Sequence, residues 1–468
     1  MNVSPVIFWL KRLAGGLIAS ALVGCTSLPT IVPDMARSSA RPQLAGAQGL
    51  LTAERSKEIL DKLKGSRPDS NVLDRHLALE QAISDSPLSA GNKVVLLEDG
   101  PRTYEAMLAA IEAARDHINM ETYILEDDET GHRFADALIA KQRAGVQVSL
   151  IHDSVGTLGT KKEFFQRLTD AGIKVLAFNP VNPLEAKAGW DVNQRDHRKL
   201  LIADGRIAFL GGINISSVYS GGSSSGAGSR GTGQKQPWRD TDLQVEGPVV
   251  AEFQKLFVET WQKQQEKQKG EPLAKRQYFP ALQRQGDDVV HAIGSSPDDP
   301  FSVIYATLIS AIDSAEREVL LTNAYFVPDP QLIASLKAAV ARGVDVRLVL
   351  PGSSDAPLVF HAGRSYYDEL LSAGIKIYER RRALLHAKTA LIDGVWSTVG
   401  STNLDWRSFL HNQELNAVVL GTGFGAQLRA SFERDVANSE QITLDKWRWR
   451  SIATRAKEAF ARVWQYWL

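Results

Sequence analysis

Only one cysteine occurs in the 468 residues, so Cys25 has no partner within the chain; intrachain disulfides and multi-cysteine metal sites are excluded. A surplus of either charge is missing too: 54 Lys and Arg face 54 Asp and Glu, for a formal net charge of zero. Nucleic-acid affinity draws on excess basic side chains, so no nucleic-acid partner is expected. There is no H-E-x-x-H, EF-hand loop or P-loop, and neither a metal, a nucleotide nor another cofactor is expected. The apolar run at residues 13–23 is too short to span a bilayer comfortably. The rest is globular in character, with 44% hydrophobic residues and enough length for more than one core.

Against that background one pattern occurs twice. His197-Arg198-Lys199 is followed after four residues by Asp204-Gly205, then by Gly211-Gly212-Ile213-Asn214. His386-Ala387-Lys388 is followed after four residues by Asp393-Gly394, then by Gly400-Ser401-Thr402-Asn403. In both copies six residues separate the Asp from the Gly that opens the G-[GS]-x-N ending. Each copy reads as a β-hairpin with Asp-Gly at its turn, which makes Asp204 and Asp393 structural members of the motif. If the first strand starts at the His, His and Lys at i and i+2 point the same way. The result is an imidazole beside a fixed ammonium, twice.

The surrounding chain repeats as well. Strands are expected at 94–97, 118–124, 146–151 and 173–178, and again at 319–325, 344–350 and 375–378, with helices between them. Ala144-Gly145-Val146-Gln147-Val148 matches Arg342-Gly343-Val344-Asp345-Val346, and Tyr123 matches Tyr325. An internally duplicated α/β unit accounts for the paired motif.

Two such motifs with matching flanks resemble the twin HKD signature of the phospholipase D superfamily. The connecting sequence is most similar to bacterial cardiolipin synthases. It shares the insert at 179–189, the Gly/Ser loop after Asn214, and Arg364-Ser365-Tyr366-Tyr367 before the second motif. The resemblance implies two α/β domains packed about a pseudo-twofold axis with one shared active site. It also implies a phosphatidyltransferase acting through a phosphohistidine, with His197 as nucleophile and His386 as general acid and base. Lys199 and Lys388, helped by Asn214 and Asn403, would hold the phosphate oxygens. A nucleophilic imidazole needs its second nitrogen held by an acceptor. Asp242-Leu243-Gln244 matches Glu414-Leu415-Asn416, which nominates Asp242 and Glu414 for that task. His152, His361 and Arg364 are further candidates for head-group contact. The expected partners are phospholipids, phosphatidylglycerol above all, and a membrane surface. A phospholipase D hydrolysing the same lipids, an HKD nuclease and a decayed scaffold are the alternatives.

The order along the chain is then a signal peptide at 1–24, a tether at 25–50, short helices at 51–90, HKD domains at 91–270 and 286–440, and a tail at 441–468. Lys11-Arg12, the apolar run and Leu22-Val23-Gly24-Cys25 resemble a bacterial lipoprotein signal, in which Cys25 is lipidated. Thr26 resembles residues that follow the lipidated Cys in outer-membrane lipoproteins, so the expected address is the cell envelope, on the periplasmic side of the outer membrane. In the tail, Ile452, Ala456, Phe460, Val463 and Trp467 recur at helical spacing among Arg and Trp residues, as in helices that lie at a membrane interface. We expect Cys25→Ser to weaken membrane association in cell fractionation. A variant that sediments as before even after removal of the tail would refute the lipid anchor.

Overall fold

The computed structural model describes residues 42–64, 73, 76–181, 193–221 and 237–468. Cys25, the signal sequence and most of the tether lie outside the described residues, as do the middle parts of the two inserts, 182–192 and 222–236.

The two HKD hairpins set the register of everything around them. In the first, strand Leu200–Ala203 turns into Ile207–Gly211; in the second, Lys388–Ile392 turns into Trp396–Gly400. Both central turn residues take positive φ, 53° and 61° at Asp204-Gly205, 52° and 71° at Asp393-Gly394. That combination matches the twist of paired strands and is tolerated best by Asp, Asn and Gly. The Asp204 carboxylate accepts the backbone N–H groups of Arg115, Asp116 and His117 at 2.8–3.1 Å. Asp393 does the same for Glu316, Arg317 and Glu318. Each Asp thus fastens its hairpin to the start of the neighbouring antiparallel strand.

Each half is a mixed sheet with one order of strands. The first runs Lys174–Phe178, Gln147–Asp153, His117–Thr122, Leu200–Ala203, Ile207–Gly211, Thr241–Glu246 and Ser89–Glu98. The second runs Lys376–Arg380, Asp345–Pro351, Glu318–Asn323, Lys388–Ile392, Trp396–Gly400, Asn412–Leu420 and Asp288–Ser295. The two sheets join where Asp288–Ser295 pairs antiparallel with Ser89–Glu98. The second sheet gains one further edge strand, Ser439–Ile442. Each half keeps its own apolar core under its outer helices, and a third core is common to both. That shared core combines Leu200, Leu210 and Leu243 with Leu385, Leu391 and Leu415. Helices Val250–Gln268 and Thr422–Ala437 cover it through Phe253, Phe257, Phe424 and Phe432. Full burial of each such side chain contributes about 1.5–3 kcal/mol, so the halves are bound together by packing as well as pairing.

Asp99-Gly100 opens helix Asp99–Ala113, and Gly100 lies against the Tyr219 carbonyl, where a Cβ would sit 2.2 Å from the oxygen. Helix Leu77–Ile83 is tied to the second half through the buried Glu80. Its carboxylate meets His76 Nε2 at 2.7 Å and His291 Nδ1 at 2.5 Å, and accepts the Trp396 indole N–H. Burial works to raise the Glu80 pKa, but the two histidines outweigh it and hold Glu80 ionised.

Candidate active site

The motif histidines do not lie inside the hairpin strands. Residues 197–199 and 386–387 precede them, at points where the chain crosses from one half to the other. Arg195–Asp196 pairs in parallel with Asn412–Gln413 of the second half, and the His197 N–H donates to Gln413 O at 3.0 Å. In the mirror arrangement, Trp238–Arg239 of the first half pairs with Leu384–Leu385, and the His386 N–H donates to Arg239 O at 2.8 Å. Arg239 is itself clamped between halves by Asp435, which also holds Arg380. Each histidine is therefore delivered to the cleft on backbone paired with the opposite half.

The carboxylates cross in the same way. His197 Nδ1 lies 3.1 Å from both oxygens of Glu414, and His386 Nδ1 lies 2.7 Å from Asp240 Oδ2. All four side chains are buried. With Nδ1 occupied, Nε2 is the free ring nitrogen in each case. Lys199 and Lys388 are buried too, each donating to the carbonyl of its own motif histidine. Tyr123 stands edge-on to His197 with ring centroids 5.1 Å apart, and Tyr325 does so to His386 at 6.0 Å.

Glu414 was nominated from sequence and lies against His197; Asp242 was nominated with it and does not contact a histidine. Asp242 Oδ1 accepts the Ile213 N–H at 3.0 Å, and its counterpart is Asn416, whose Oδ1 accepts from Thr402. The sequence match was displaced by two residues, because the 15-residue difference in the loop after the G-[GS]-x-N ending hid the true register. Asp240 lies in the break between strands Trp238–Arg239 and Thr241–Glu246, whereas Asp242 is inside the second of them.

The correct register also explains the [GS] position. A Cβ at Gly212 would lie 2.2 Å from Asp240 Oδ1, so the first half has room only for glycine there. In the second half Ser401 occupies that place and its hydroxyl donates to Glu414. Asn412 adds a further donor to Glu414 at 3.2 Å. On the other side, Tyr219 and Trp238 surround His386, with the Tyr219 hydroxyl 3.3 Å from Nδ1 and the Trp238 ring centroid 5.0 Å away. None of Asp240, Ser401, Tyr219 or Trp238 was identified from sequence. Asp240 carries no local sequence signal, because its place is fixed by the pairing of Trp238–Arg239 with Leu384–Leu385.

The two asparagines are less exposed to a ligand than expected. Asn214 uses Oδ1 to accept from Ile124 and Nδ2 to donate to Tyr219, leaving one amide hydrogen. Asn403 is buried at the equivalent place in the second half, its Oδ1 without a hydrogen bond. His152 is packed against Phe165 with its Nδ1 on Thr157, and Arg364 is paired with Glu379, so neither is directed at a head group. His361 follows Phe360 in helix Pro357–Arg364 and is not among the groups around the motif histidines.

Electrostatically the cleft is a cationic pocket. Burial pushes the His197 pKa well below its ordinary value, and Lys199, Lys388 and His386 lower it further. Burial also brings Lys199 down to about 7 and Lys388 to about 8. Glu414 is pushed up to about 7 by burial, against the pull of Lys199. Burial works on Asp240 in the same direction, but the His386 ring and Lys388 outweigh it and hold this carboxylate below its ordinary value. Asp242 is raised well above the usual range by burial and by the charge of Asp240, which favours its neutral acid form.

A family model described as cardiolipin synthase, PLD-like domain, matches residues 107–219 and 308–436. The chain is 34% identical over 388 residues to the cardiolipin synthase of Alkalihalophilus pseudofirmus, an alignment covering 82% of this chain and 74% of that one. With cardiolipin synthase 1 of Bacillus anthracis it shares 33% identity over the same proportions of both chains. Among solved structures, phosphatidylserine synthase of Haemophilus influenzae Rd KW20 superposes with a TM-score of 0.61. That match covers 82% of this chain and 96% of the other at 13% identity, a likeness of fold.

The contrast between Asp240 and Asp242 is open to test. Asp240→Asn should lower kcat/KM by about 10²–10⁴-fold, because an amide no longer holds the imidazole in its working tautomer. Asp242→Asn copies Asn416 and replaces an already neutral acid, so activity should stay within about threefold, under 1 kcal/mol. Steady-state kinetics on both variants decides it; an active Asp240→Asn protein would refute the pairing.

Proposed function

The chain belongs to the cardiolipin synthase family of PLD-like proteins, and on that premise we propose that its cleft carries out phosphatidyl transfer between phospholipids, with phosphatidylglycerol as donor. The observation that carries this reading is the crossed arrangement: two imidazoles, each backed by the opposite half's carboxylate, with two buried ammonium groups beside them. Phosphodiester exchange needs a nucleophile in line with the leaving oxygen, a proton for that oxygen, and positive charge around the non-bridging oxygens. All three are present in side chains.

In the first step the neutral Nε2 of His197 attacks phosphorus. The P–N bond forms as the bond to the glycerol oxygen breaks, and His386 Nε2–H supplies the proton that leaves with glycerol. In the second step the hydroxyl of an acceptor phosphatidylglycerol gives its proton to His386 and attacks phosphorus from the vacated side, releasing His197. Lys199 and Lys388 hold the non-bridging oxygens in both steps. The surroundings of the two histidines support this division of roles. Burial lowers His197 well below its ordinary value, which suits it to attack as the neutral base. Burial lowers His386 too, but Asp240 opposes that shift and favours the imidazolium of a proton carrier.

Hydrolysis would use the same groups with water as acceptor, and the products separate the two. We expect incubation with phosphatidylglycerol to yield cardiolipin and glycerol, and His197→Ala or His386→Ala to abolish turnover. Phosphatidic acid as the sole product would replace transfer by hydrolysis, and an active His197→Ala enzyme would remove the nucleophile. The envelope address and the lipid on Cys25 are part of this proposal and are supported by the signal-like sequence.

The lysines set the pH dependence. Their folded pKa values are lowered, so the ammonium form, and with it affinity for an anionic phosphate, is present at low pH and lost as pH rises through about 7–8. The kcat/KM profile should therefore fall on its alkaline side within that window. A profile flat to pH 10 would contradict it.

A further inference from the structure

Helix Ile452–Val463 is docked with its polarity reversed. At 3.6 residues per turn, Ile452, Ala456, Phe460 and Val463 share one face, and Glu458 and Ala461 lie on the opposite one. A surface helix ordinarily turns its apolar stripe toward the core. Here Ile452 is 85% exposed, Phe460 63% and Val463 61%, whereas Glu458 is 2% exposed. Trp449 and Trp467 extend the outward face at 89% and 65% exposure.

The inward face is held by charge and rings. Arg450 binds Glu458 at 2.8 Å, and Trp447 lies buried between the guanidinium groups of Arg450 and Arg364, 4.4 and 4.9 Å from its ring. Arg462 stacks on Tyr366 at 4.4 Å, Tyr366 donates to Gln465, and the Arg407 N–H donates to Leu468 O. These contacts fix the helix on the protein and leave its apolar stripe facing out.

Charge and position identify what covers that stripe. Arg455 and Lys457 are exposed on its two flanks, and residues 444–468 hold six basic side chains against two acidic in a chain whose overall net charge is zero. The tail also adjoins the cleft. Helix Pro357–Arg364, on which it packs, begins just after Asp355, the acceptor for the Tyr325 hydroxyl beside His386. Arg407, to which the last residue bonds, in turn binds Asn193 ahead of the first motif. A second copy of the chain would bring the same positive flanks against each other; an anionic lipid surface complements them.

We infer that helix Ile452–Val463, with Trp449, Trp464 and Trp467, is a docking face for bilayers rich in anionic phospholipid, and that it seats the cleft beside its substrate. The inference rests on the phospholipid reading of the active site. Apolar side chains enter the acyl boundary while the flanking cations meet the head groups.

The test follows tryptophan fluorescence of the full chain with vesicles of phosphatidylglycerol brominated on its acyl chains, and with matching phosphatidylcholine vesicles. We expect quenching by the anionic vesicles at about tenfold lower lipid concentration, and loss of most of it in Ile452→Ser/Phe460→Ser/Val463→Ser. The thermal midpoint of the variant should be unchanged, because all three side chains are exposed. Quenching of the variant equal to wild type would overturn the inference. So would a wild-type dimer that the triple substitution converts to monomer. Transfer assayed on short-chain phosphatidylglycerol below its micelle concentration reads the active site separately. Equal turnover by both proteins keeps the catalytic proposal, whereas no turnover by either removes it and leaves the quenching result to stand alone.

Discussion

The exchange of backbone and carboxylate between the two halves is the constraint on which the site depends. A buried imidazole requires a partner for Nδ1, and a buried carboxylate requires a cation or donors. Each half supplies its carboxylate with neutral donors, Ser401 and Asn412 for Glu414 and the Thr241 N–H for Asp240, but the imidazole partner comes from the opposite half. Removing one member of such a pair costs about 3–5 kcal/mol, so separating the halves would leave two charged groups stranded as well as exposing the shared apolar core. Docking of the halves and assembly of the catalytic groups are one event.

Duplication then leaves room for division of labour. The two histidines share a geometry but not an environment. Burial lifts Glu414 to about 7 even though Ser401 and Asn412 donate to it and pull the other way. Asp240 faces a glycine at the equivalent place and stays ionised. A full carboxylate behind Nδ1 favours the imidazolium, which suits His386 to carrying a proton. The halves differ at one place beside these acids, where Ser401 gives Glu414 a hydroxyl donor and Gly212 leaves room for the Asp240 carboxylate.

The sequence made the architecture and four of the reacting groups legible because those features are local. H-x-K spacing, the Asp-Gly turns and the α/β rhythm are fixed by backbone geometry within a few residues. The strand content of the hairpins was partly misjudged, since the H-x-K segments are crossings between sheets, and pairing across the halves leaves no periodic signature. Asp240 was missed for a related reason. Its function is defined by what lies opposite in another half, and the long loop before it hid the register, so that the local match to Glu414-Leu415-Asn416 fell on Asp242 instead. Asp204 and Asp393 show the converse: a turn residue with three backbone N–H partners is a local device, and its structural reading needs only the hairpin.

The cleft and the tail break folding rules in the same manner. Two ammonium groups lie buried in the cleft, where burial lowers both pKa values and Lys388 lowers that of Lys199 further, an arrangement that a stable core would avoid and that an anionic phosphate relieves. An apolar stripe turned to solvent on a helix anchored through its glutamate is likewise unfavourable until something apolar covers it. Violations of local consistency concentrate where a ligand completes the structure. The phosphate needed in the cleft and the acyl surface needed on the tail belong to one molecule, a phospholipid. Two independent defects in the folded chain therefore point to the same substrate, one through its head group and the other through the membrane it forms.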